Sequence, residues 1–222
     1  MKELIMNGFK KEIQLVKDVW NRDKKKIGYY WIGAIVAAIL GYLVLYLILH
    51  VQHSDIKDVL EKIRGKNSGA NTSSKETYWG GTLHLLQNNW IVCLQIMILG
   101  LIPIPFFYHL SLLRSTAIIG IFLCVGNELG LNIWKSLFLG ILPHGILEIT
   151  VFIITTIYAG RVNHVIVRWL TNLFRRAKKK KPCPPFWKTV KQAMLVFIFV
   201  VTPLIAIAAF IEGYVTRFLF GS

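Results

Sequence analysis

Cysteine is scarce and stands in no pattern. Cys93, Cys124 and Cys183 are isolated, with no CxxC pair and no Cys/His zinc spacing, which excludes a disulfide framework and a zinc finger. No GxxxxGK phosphate loop occurs, so the chain cannot drive transport through ATP by itself. No serine or cysteine sits in a nucleophile elbow, and no HExxH zinc motif is present. Acid is short as well: 11 Asp and Glu face 26 Lys and Arg, a formal net charge of +15. Residues 1–26 are charged rather than apolar, so no cleavable signal peptide is expected and the first apolar run reads as an uncleaved anchor.

What fills the chain is hydrocarbon. Hydrophobic residues make up 55% of 222, far above the share a soluble globule needs. Apolar runs of about 20 residues are long enough to cross a bilayer as helices. Five are expected: Ile27–Leu49, Trp90–Leu113 with Pro103 and Pro105 near its middle, the short Ser115–Leu131, Trp134–Gly160 interrupted near Pro143, and Ala193–Phe220. The predicted fold class is an all-α polytopic membrane bundle of about five helices, one of them broken or re-entrant. Residues 27–222 form a single transmembrane domain. Ahead of it, Ile5, Phe9, Ile13, Val16 and Trp20 recur at helical spacing among lysines, which predicts an interfacial amphipathic helix over residues 1–26.

The charge is not evenly spread. Residues 1–26 hold eight Lys/Arg against four acids, residues 161–192 hold ten against none, and the loop 51–89 is nearly balanced. The positive-inside rule then puts residues 1–26 and 161–192 in the cytoplasm and the C-terminus outside. The run RRAKKKKPCPP, from Arg175, reads as a membrane-surface anchor attracting anionic lipid heads; nucleic acid is not expected as a partner. Within the loop 51–89, Ile56–Arg64 reads as a short helix, and the polar stretch after it as a connector.

Four polar residues lie within or beside the apolar runs. His144 and Glu148, in LPHGILEITVF, are four apart and share one helix face. Pro143 is suited to a first helical turn, so Pro143 and Gly145 mark an expected helix break that is tolerated only where protein or a wet cavity covers the backbone. Glu212 sits in AAFIEGYVT, beside the small residues Ala209 and Gly213. Asn89 opens the second run. Charges at bilayer depth cost a few kcal/mol even on lenient scales, about 2.5–3.5 for a central Asp, Lys or Arg. The expectation is that Asn89, His144, Glu148 and Glu212 converge inside the bundle. Three readings stay open: a hydrogen-bond network fixing helix register, a proton or ion relay, and a divalent-metal centre with His144, Glu148 and Glu212 as ligands and catalytic candidates. No cofactor is required by the sequence.

The Pro-His-Gly-x-x-Glu pattern of Pro143, His144, Gly145 and Glu148 resembles the signature of the stage II sporulation protein M family. The Asn-Asn pair at Asn88 and Asn89 and IAAFIEGYVT near the end resemble that family's other recurring features, in the same order. Where many members carry an Asn-Gly pair after the second span, this chain reads HLSLLRSTAIIG. The resemblance implies a bacterial cytoplasmic-membrane protein of a multi-protein assembly. In the sporulation branch that assembly holds peptidoglycan-degrading enzymes at the membrane; the wider branch is often encoded beside ABC transporters or bacteriocin genes. The leading expectation is a non-enzymatic docking subunit for envelope remodelling or export, with other membrane proteins, such as an ABC transporter or cell-wall hydrolases, and membrane lipids as partners. The alternatives are an intramembrane metal-dependent hydrolase or peptide-maturation enzyme, and a proton-coupled permease subunit.

Overall fold

One helix is buried all round along part of its length, and that decides where the others go. From Val151 to Ala159 every side chain is buried, a pattern reserved for an element with neighbours on all sides. A computed structural model describes residues 2–51, 78–175 and 181–216, with side chains from residue 17 onward except at 18, 19, 78, 215 and 216. The expected Ile56–Arg64 helix, the side chains of Ile5, Phe9, Ile13 and Val16, and the end of the last run at Phe220 lie outside the described residues.

The described residues are helical, with no strand, and five helices among them are long and apolar enough to cross a membrane. We number them α1 (Lys2–Val51), α2 (Tyr78–Leu101), α3 (His109–Glu128), α4 (Ile133–Leu173) and α5 (Phe186–Tyr214). The central helix α4 packs against α2 and α5 and touches α1 and α3, whereas α1 packs chiefly on α3. The main core joins Ile96, Val151, Ile153, Val200 and Ile205 from α2, α4 and α5.

Helix bounds differ from the hydropathy reading in instructive ways. The second span is Trp79–Leu101, not Trp90–Leu113. Its expected middle, Ile102–Tyr108, is a non-helical connector. Pro103 and Pro105 drive the residues before them out of the α region, and Phe106 takes φ 68°. Asn163 of α4 donates its amide to the carbonyls of Ile102 and Ile104, which covers backbone groups that a broken helix leaves without partners. The third helix is correspondingly a full 20 residues, His109–Glu128, rather than a short Ser115–Leu131. It closes at Gly130, φ 74°, with Gly130 N–H donating to Asn127 O at 2.9 Å and Leu131 N–H to Gly126 O at 2.9 Å, the paired bonds of a Schellman turn. Asn132 then caps α4 by accepting from Lys135 N at 3.0 Å. Toward its other end α4 runs on past Gly160 to Leu173, and α1 shows no interruption between residues 26 and 27.

At Pro143, where a break is expected, the chain stays helical by widening. Residues Ser136–Ile141 form a π-helical turn directly before it. A proline ring collides with the carbonyl four residues back, and the i→i+5 pattern moves that carbonyl away. The same device recurs in α5, where the π turn Phe197–Val201 precedes Thr202 and Pro203. There Thr202 Oγ1 donates to Phe197 O, five residues back, at 3.0 Å. A third π turn, Ile211–Thr216, carries Glu212.

Buried hydroxyls satisfy themselves along their own helices. Thr155 and Thr156 donate to Val151 O and Phe152 O at 2.8 and 2.7 Å, and Thr116 to Leu112 O at 3.0 Å. Small residues bring α1 and α3 together. Gly41 meets Ala117 and Gly120 meets Ala38 and Tyr42, and a Cβ at either glycine would overlap the backbone of the opposite helix.

Candidate functional site

Widening at Pro143 sets the direction of the next turn, and His144 and Glu148 leave α4 on the same face, toward α5 and α2. Asn89 of α2 is buried and donates its amide to Glu148 Oε1. Glu212 arrives from the last π turn of α5. Gly213 permits that approach: a Cβ there would overlap the side chain of Thr82 on α2. The neighbouring Trp79–Tyr214 edge contact, centroids 5.7 Å apart, clamps the same turn against α2.

His144 Nε2 lies 3.9 Å from Glu212 Oε1. One ligand atom each from His144, Glu148 and Glu212 fall within 4.8 Å of one another. The side chain of Glu212 is 27% exposed and that of His144 12%, so the group is shielded without being sealed. All four residues singled out in the sequence are thus in one cluster, contributed by three helices.

Two cavities flank the cluster. One of about 450 Å³ is lined by Asn88, Asn89, Arg114, Ser115, Glu148 and Glu212. The other, about 440 Å³, reaches His144 and Glu212 from the side of the π turn, past Ser136 and Gly140. The first continues toward a groove of about 370 Å³ between α2 and α3, lined by Gln95, Ser111 and Arg114. Arg114 Nη2 donates to Gln95 Oε1 at 3.3 Å, and both residues are exposed. The arrangement can bind and relay a proton between two acids, hold a small cation between three ligands, or present a polar seam to another helix.

A second polar centre, which the sequence reading missed, lies at the other end of α4. Asp23 of α1 is 1% exposed. It accepts from Arg161 Nη2 and, at 3.5 Å, from Arg22 Nε. Arg22 also donates to the Tyr158 hydroxyl, and the Arg161 guanidinium lies over the Tyr158 ring, 4.5 Å from its centroid. The available signal was an acid set among lysines, Asn21-Arg22-Asp23-Lys24, ahead of an apolar run, but nothing in that signal names Arg161.

The family model described as stage II sporulation protein M matches residues 31–217, a stretch that contains the whole cluster, the later part of α1 and the helices α2 to α5. Neither a curated protein nor a solved structure matches the chain. With its helices, its Pro-His-Gly-x-x-Glu motif and the greater part of its length inside that match, this membrane protein belongs to the stage II sporulation protein M family.

Proposed function

We propose that the chain is a non-enzymatic membrane subunit that docks partner proteins into an envelope-remodelling or export assembly. The observation that carries the reading is the groove between α2 and α3, where Gln95, Ser111 and Arg114 sit among the apolar side chains of Ile98, Leu99 and Leu110. Gln95 and Arg114 are exposed inside spans Trp79–Leu101 and His109–Glu128, where an isolated chain would turn them toward lipid. A cation facing hydrocarbon is expensive, and the cost falls when a neighbouring helix supplies an acceptor. The occupant that fits is one transmembrane helix of a partner, bringing a carboxylate or amide carbonyl to Arg114. Copurification in mild detergent tests this. A defined partner is expected with the native chain, with its recovery reduced roughly fivefold or more in the Gln95→Leu, Arg114→Leu double variant. A chain that purifies alone, or a variant that keeps its full partner yield, refutes the docking role.

One observation favours a second reading, an intramembrane metal-dependent hydrolase. His144, Glu148 and Glu212 offer two carboxylates and an imidazole, a donor set that suits zinc or another divalent ion. Metal–ligand bonds of about 2.0–2.2 Å would need these atoms to close by roughly 1 Å. Elemental analysis after membrane extraction should then find one divalent ion per chain, lost in His144→Ala. A native chain free of stoichiometric metal removes the hydrolase.

A further inference from the structure

A cavity of about 460 Å³ opens beside the Asp23–Arg161 centre, between α1, α4 and the start of α5. Lys26, Arg161 and His164 line it, together with Tyr30, Tyr108 and Gln192, and no carboxylate does among the described residues. Asp23 engages Arg161 through Nη2 only; the enclosed Nη1 has no hydrogen-bond partner among the described residues. Burial pushes the Tyr108 phenol up, which keeps its hydroxyl a donor. Cations and donors without an acid describe a place for an anion.

Beyond this polar cavity the walls turn apolar. Val165 and Pro184 are shared with a second cavity of about 470 Å³, whose other walls are Ile166, Trp169, Cys183 and Phe186. A polar chamber and an oily one with common walls fit an amphiphile rather than a free ion. Trp169 is exposed at the outer side, as an aromatic at a membrane–water boundary would be.

We propose that these joined cavities bind one anionic phospholipid, with its phosphate among Lys26, Arg161 and His164 and an acyl chain along Ile166, Trp169 and Phe186. A soluble phosphate ester shares the headgroup chemistry but has no use for the second chamber. The site is also distinct from diffuse attraction by the basic run at Lys178–Lys181, because its cations come from α1 and α4.

Native mass spectrometry of the detergent-purified chain, equilibrated with phosphatidylglycerol, phosphatidylcholine or inorganic phosphate, decides between these cases. One retained phosphatidylglycerol per chain is expected, favoured roughly thirtyfold over phosphatidylcholine, the effect of two basic contacts. Arg161 also holds Asp23, so the informative variant is Lys26→Gln, His164→Gln, which changes two exposed side chains and should abolish the preference. Replacing Lys178, Lys179 and Lys180 by glutamine should leave it intact. Equal retention of the two lipids overturns the proposal. So does loss of the preference only in the Lys178 to Lys180 variant, or phosphate binding without phosphatidylglycerol retention.

Discussion

Replacing Asp23 with alanine is expected to cost roughly 3 kcal/mol of stability, the lower end of what breaking a buried ion pair removes. The value lies at that end because Arg161 is 23% exposed and water will partly solvate the charge left behind. The loss is larger than that of one hydrogen bond because a single carboxylate serves two arginines. Arg161 would keep only its stacking on Tyr158, and Arg22 only its bond to the Tyr158 hydroxyl. Asp23→Asn preserves shape and one acceptor and should cost about 1–2 kcal/mol. Reversible unfolding in mixed micelles, comparing the two variants with the native chain, measures both. An alanine variant that unfolds with the native protein would mean that the pair contributes nothing to holding α1 against α4.

Gly120→Val should be the other severe change, destabilising by about 3 kcal/mol, at the upper end for an overpacked interior. Its Cβ would fall on the Ala38 carbonyl and the Tyr42 nitrogen, which are backbone atoms of α1 and cannot rotate aside. The two helices would have to separate, and α1 has its main contact with the rest of the chain through α3. Gly33→Ala is the matched control. Nothing lies within 4 Å of a Cβ there, so the substitution should gain up to about 1 kcal/mol from helix propensity. If thermal unfolding in detergent ranks Gly120→Val with the Gly33 variant, close approach of the α1 and α3 backbones is not what joins them.

Number and kind of helices were legible because bilayer thickness fixes the length of an apolar run. Their ends were less so, since hydropathy counts apolar atoms and not backbone shape. Ile102, Ile104, Phe106 and Phe107 are as oily as any span, yet two prolines make them a connector. Conversely, the polar letters of Thr82, His84 and Gln87 hid the first half of α2, and Arg161 and Arg168 hid the last turns of α4, although all continue helical. His144 and Glu148 were readable as a pair because four-residue spacing is a local property. Asn89 and Glu212 could be expected beside them only from the cost of stranding polar groups in hydrocarbon. Asp23 and Arg161 are 138 positions apart and each sits in a stretch rich in charge, where solvation is the ordinary outcome.

Each π turn has a meaning for the chain as a text. Such a turn amounts to one residue inserted into an ordinary helix, which rotates everything on one side by about 100° relative to the other. Heptad or moment arithmetic carried across Ser136–Ile141 or Phe197–Val201 therefore assigns faces wrongly on the far side. Two relatives that differ by a single deletion inside one of these turns would look misaligned by one letter, yet would keep the histidine and both acids in the same place by tightening a coil instead of moving a helix.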